Sequence, residues 1–196
     1  MNPVRFLGDA LQTAGKAIGF LWRQQGAERS QLIADMQAIC SRCDDAYTAV
    51  LAALRPVKDS FQDRDALARS LRAFSADGGT RSAFKPEHLC GEVDQILQRL
   101  TSNVDWLKYS VDIRGIARLR GVISSMGSYD GQLWDYYDDH TRAMDDLATE
   151  LKSEASEEDL QERQAYAQHV VTQFEADLRE ALKKIREAKE DVRKLM

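Results

Sequence analysis

Apolar residues recur in steps of four and three along most of this chain, and the pattern breaks at only a few places. Over residues 4–22, Val4, Leu7, Leu11, Ala14, Ile18, Leu21 and Trp22 share one side of a helix. Arg5, Asp9, Gln12 and Lys16 lie opposite. Gly8, Gly15 and Gly19 weaken this helix in water and let another surface come close. A second helix is predicted over about 28–54, with Leu32, Met36, Ile39, Cys43, Tyr47, Val50 and Leu54 in its stripe and Pro56 as its stop. A shorter helix fits 60–73 through Phe61, Leu67 and Leu71, and "SADGGTRS" at 75–82 reads as a loop.

Pro86 suits a first helical position, where its missing N–H is no loss. From there Val93, Leu97, Leu100, Val104, Leu107 and Val111 carry a long helix over about 86–123. "SSMGSYDG" at 124–131 reads as a turn, and Leu133, Tyr137, His140, Met144, Leu147 and Leu151 set a helix over about 130–152. The strongest pattern comes last. Leu160, Gln164, Ala167, Val171, Phe174, Leu178, Ala181, Ile185, Ala188, Val192 and Leu195 keep the four-three alternation over 157–195, behind the acidic start "SEASEED". Asp159–Arg163, Glu175–Arg179, Glu180–Lys184 and Glu190–Lys194 are spaced to pair along that helix. The expected fold is all-α: an antiparallel helical bundle with a long coiled-coil-like C-terminal helix. The expected division is an N-terminal amphipathic helix (1–25) and a helical bundle (27–196) broken near 75–85.

Composition narrows the classes of function. The 196 residues include only three prolines, and the formal charge is −5. That sign makes nucleic acid an unlikely partner. Three irregularly spaced cysteines do not form a disulfide framework. No run approaches the apolar length of a membrane span, and the start lacks the features of a cleavable secretory signal. A cytoplasmic location is expected, membrane-peripheral if the first helix lies on lipid.

The stretch "LWDYYDDH" at 133–140 mixes aspartates, aromatics and a histidine. Around the helix, Asp135, Asp138 and Asp139 share one wet face, while His140 stands about 140° from Asp135 and falls in the apolar stripe. Tyr137 occupies the position three before it, where a di-iron bundle would place glutamate. The reading is a core or boundary histidine bonded to a neighbouring helix. Trp134 lies off the stripe, with Tyr129 and Tyr136 nearby, and is a candidate for partner contact. Cys40 and Cys43, with His88 and Cys90 downstream, make up a four-ligand zinc set on paper. Cys40 and Cys43 also lie in the apolar stripe, however, so core cysteines are the plainer reading. Arg114 and Arg118, four apart, could clamp an anion or pair with acids of other helices.

The first helix is the better functional candidate. Arg5, Lys16 and Arg23 against Asp9 leave residues 1–25 with two net positive charges in an acidic protein. Leu7, Leu11, Ile18, Leu21 and Trp22 would meet a partner's groove, an anionic membrane surface or the bundle itself. No nucleophile–histidine–acid set or nucleotide fingerprint appears, and no cofactor is implied. The expected function is a non-catalytic protein-interaction or adaptor bundle, its partner another protein or a second copy. A peripheral membrane protein and a helical enzyme or zinc protein are the alternatives.

Overall fold

A computed structural model describes residues 3–21, 27–83 and 130–194, with isolated helical positions between 98 and 124. Among the described residues the chain is all-α, without strands. Its helices are α1 (Pro3–Leu21), α2 (Ala27–Asp59), α3 (Arg64–Ser75), α4 (Gly78–Ala83), α5 (Asp130–Glu150) and α6 (Glu157–Arg193). The helix expected over 86–123, with Pro86 and the 124–129 turn, lies outside the described residues apart from those isolated positions.

The long C-terminal helix is the axis of the bundle. Leu160, Ala167, Val171, Phe174, Leu178, Ala181, Ile185, Ala188 and Val192 form one buried row along it. Ser156 caps its start, accepting from the Asp159 N–H at 3.2 Å. α2 runs antiparallel beside it, which the pairs Asp44–Arg186 at its middle and Lys58–Glu175 at its C-terminal end show. α5 also runs antiparallel, from Tyr136 beside Asp177 to the Glu150 carbonyl that receives Arg163. α1 is the exception. Arg5 meets Asp177, Asp9 meets Lys184 and Gln12 meets Glu187, so α1 and α6 are parallel neighbours.

The interior follows the predicted stripes. Leu7, Leu11, Leu32, Met36, Ile39, Cys43, Tyr47, Val50, Leu54, Leu67, Leu71, Met144 and Leu147 join the α6 row in one core. Gln164, the polar member of that row, donates to the Phe61 carbonyl at 2.8 Å, and Gln168 donates to the same oxygen at 2.7 Å. Together they fasten the turn between α2 and α3, satisfying a carbonyl left over where the helix ends. Glu175–Arg179 and Glu180–Lys184 pair as spaced, while Lys194 turns to Asp191 and Arg163 reaches back to Ser153.

Three local expectations need correction. α2 continues through Pro56 to Asp59. Proline this late removes only one bond of the last turn, and that turn is held by buried Val57 and by Lys58 on Glu175 at 2.5 Å. Part of the "SADGGTRS" loop is helix α4. The Asp77 side chain accepts from the Gly79 N–H at 2.9 Å, and Thr80 and Arg81 anchor the turn on α5. Asp138 does not share a wet face with Asp135 and Asp139. It is buried, held by Arg81 of α4 at 2.8 Å and by Arg142 of its own helix.

Candidate functional site

Two features of α6 stand out among the described residues: a buried polar cluster on its inner side and a continuous exposed row on its outer side. The cluster centres on Asp177, whose buried carboxylate receives Arg5 Nε at 2.8 Å, Tyr136 Oη at 3.0 Å and Gln173 Nε2 at 3.1 Å. A carboxylate so enclosed needs several donors, because desolvation without them would be costly. Beside it, His140 stacks on Phe174 with ring centres 4.5 Å apart, and its Nδ1 lies 2.8 Å from the Tyr136 carbonyl. That contact makes Nδ1 the donor in the neutral ring. Burial lowers the His140 pKa, against the opposing pull of the Tyr136 carbonyl, Asp177 and Asp139. His140 is thus a boundary histidine, as the helix phase implied, but its bond is to its own helix.

α1 is fastened above this cluster by polar clips over small residues. Arg5 also meets Glu180 at 2.8 Å, Asp9 meets Lys184 at 2.7 Å and Gln12 donates to Glu187 at 2.7 Å. The pKa of Lys184 is raised by its hydrogen bond to Asp9, with Glu180 adding to it. Under the clips the backbones come close: a Cβ placed on Gly8 would stand 2.9 Å from the Ala181 carbonyl oxygen.

The outer side of α6 carries a second four-three repeat. Glu158, Glu162, Ala165, His169, Thr172, Ala176, Arg179 and Lys183 are all exposed. The row spans about 37 Å at 1.5 Å per residue. It is acidic at one end and basic at the other, with alanine, histidine and threonine between. At its basic end it borders a surface groove of about 670 Å³ between α1 and α6, lined by Lys16, Arg179, Lys183, Glu187 and Lys194 among others.

The residues singled out from sequence fall in several places. Leu7 and Leu11 point into the core against α6 and are not on a surface. Ile18 and Leu21 lie in α1 and Trp134 in α5, but their side chains, like Trp22 entirely, are outside the described residues. Arg114 and Arg118 are exposed helical positions. Cys40 and Cys43 are fully buried in α2, and burial pushes the Cys40 thiol up to about 12. His88 and Cys90 are outside the described residues, so the four-ligand set is not brought together on any shown geometry. Among the described residues no three metal-ligating side chains converge, and no helix is long and apolar enough to cross a membrane. Asp177 was missed because it sits beside the seam and its partners come from two distant helices. The outer row follows from helix geometry two positions behind the seam, and only the separation of its acids from its bases sets it apart in the sequence. No protein-family model matches this chain, and neither the curated proteins nor the solved structures offer a match.

Proposed function

We propose that this chain is a non-catalytic helical scaffold that works by binding another protein chain, and that the outer row of α6 is its docking face. The observation carrying this reading is the make-up of that row: two glutamates at one end, an arginine and a lysine at the other, and alanine, histidine and threonine between, all exposed along one side of the helix. The buried clusters around Asp177 and Asp138 are closed by arginines and a tyrosine, which suits a rigid support for that face. The test is a photoreactive side chain at Ala176, compared with one at exposed Asp135, in cells that carry the chain. A single adduct of defined mass from position 176 supports the reading, and no adduct from that position defeats it.

A second reading draws on the make-up of the α1 contact. α1 is held by polar clips over Gly8 and Gly15 and by buried Val4, Leu7 and Leu11, so its apolar side is free only after a release that breaks those contacts. Released, its apolar side would suit an anionic membrane surface and a peripheral location. Co-sedimentation with phosphatidylserine vesicles, with and without residues 1–25, decides it: binding must depend on that segment.

A further inference from the structure

We infer that the occupant of the outer face is a second copy of this chain, docked with the two α6 helices antiparallel. The inference rests on the scaffold reading and specifies its partner. Any eight-member four-three row is even about its midpoint, so its charges decide whether it complements itself. The row Glu158, Glu162, Ala165, His169, Thr172, Ala176, Arg179, Lys183 is arranged evenly about the point between Val170 and Val171. Turned end for end, it places Glu158 against Lys183, Glu162 against Arg179, Ala165 against Ala176 and His169 against Thr172. Each relation is repeated by the twofold axis, as a self-complementary interface requires.

Charge then selects the orientation. A parallel pair sets Glu158 and Glu162 against their own copies, and Arg179 and Lys183 likewise, which is repulsive at both ends. The antiparallel pair makes every charged relation in the row attractive. The geometry at the basic end also fits. Arg179 and Lys183 line the groove between α1 and α6, and both side chains are more than half exposed, at 65% and 78%. Arg179 bonds to Glu175 with Nε and Nη2, and Lys183 stands 4.0 Å from Glu187, a loose contact that an incoming carboxylate can replace. At the centre His169 faces Thr172 across the axis, and the Ala165–Ala176 relations on either side leave room for the histidine ring.

The same composition sets the strength. With small and charged residues in the row, little apolar area is buried, and a durable interface needs about 1,200 Å² or more in total. Exposed ion pairs add little each and are screened by salt. The dimer is therefore weak and salt-sensitive, forming at high protein concentration or where the chain is held locally.

The experiment is sedimentation equilibrium on the full chain at low and high salt, with two charge variants. One is Glu158→Lys with Glu162→Lys, and the other is Arg179→Glu with Lys183→Glu. All four positions are exposed, but Arg179 also holds the buried Glu175 carboxylate, so circular dichroism and a urea melt check the fold of each variant, and Lys183→Glu alone takes the place of the second variant if that one unfolds. The expected result is a wild-type dimer weakened about tenfold or more by salt, as screening at close range implies. Each variant alone should be monomeric, and an equimolar mixture of the two should give a heterodimer. Wild-type protein that stays monomeric at low salt overturns the inference, as does a dimer indifferent to both variants. Neither result touches the scaffold reading, which falls only if the position 176 probe finds no partner of any mass.

Discussion

Arg5 and Asp177, 172 positions apart, meet through two nitrogens on one oxygen: Nε at 2.8 Å and Nη2 at 2.7 Å from Oδ1. Asp177 raises the Arg5 pKa, first through the hydrogen bond and then through its charge. The planar fork of arginine suits this double contact, and a lysine cannot reproduce it. Arg5→Lys is expected to keep the fold yet loosen α1. Hydrogen exchange along residues 4–16 should quicken while α2 and α6 stay protected. Unchanged exchange in α1 would show that the clip does not hold it.

Gly8 and Gly15 make a paired test. Alanine at 8 drives its Cβ to 2.9 Å from a backbone oxygen, with Ala181 Cα and Lys184 Cβ at 3.1 Å, so helices must move apart. Such overpacking costs about 1–3 kcal/mol. Alanine at 15 meets Val192 Cγ2 at 3.4 Å and the Ala188 oxygen at 3.5 Å, ordinary contact distances. There the gain in helix propensity, about 0.5–1 kcal/mol, should prevail. Urea melts of the two variants should shift in opposite directions.

Phe174 is fully buried and faces Tyr136, Tyr137 and His140. Phe174→Ala should destabilise by about 3–5 kcal/mol, a large share of a domain's usual margin. Tyr166 on the same helix is 59% exposed, and Tyr166→Ala should stay within about 0.5 kcal/mol. Equal losses for the two would mean that the inner and outer sides of α6 are misassigned.

Acid should weaken the fold in two stages. Burial holds the His140 pKa below its ordinary 6.5. The unfolded chain therefore takes up that proton first, and stability is complete above 6.5 and declines below it. At Glu175 burial pushes upward, but the bonds from Lys58 and Arg179 outweigh it, and the pKa sits below the usual 4.5. Its contribution is present above 4.5 and is lost as pH falls through the folded value. Melting temperatures for His140→Gln should lack the first decline and keep the second. A variant that follows the wild-type curve near 6.5 would rule His140 out as the group responsible.

What the sequence made legible was whatever a helical period can express. The inner row of α6 and the stripe of α2 came through because burial of one side repeats with the turn. Asp138 was misplaced because its neutralising partner Arg81 arrives from 57 positions upstream, and no local pattern carries that. Pro56 and "SADGGTRS" misled for the same reason. Local propensity argued for an end or a loop, while contacts from α6 and α5 supplied the missing stability. The Asp177 cluster, assembled from three helices, left no trace in spacing.

The parallel seating of α1 on α6 also fixes an order of events during synthesis. Among the described helices, the one made earliest has its mate in the one made latest. At roughly 5–20 residues per second, the 172 positions between Arg5 and Asp177 amount to about 9–34 s. Through that interval α1 waits with Leu7 and Leu11 unburied by α6, and every premature stop before α6 leaves them so.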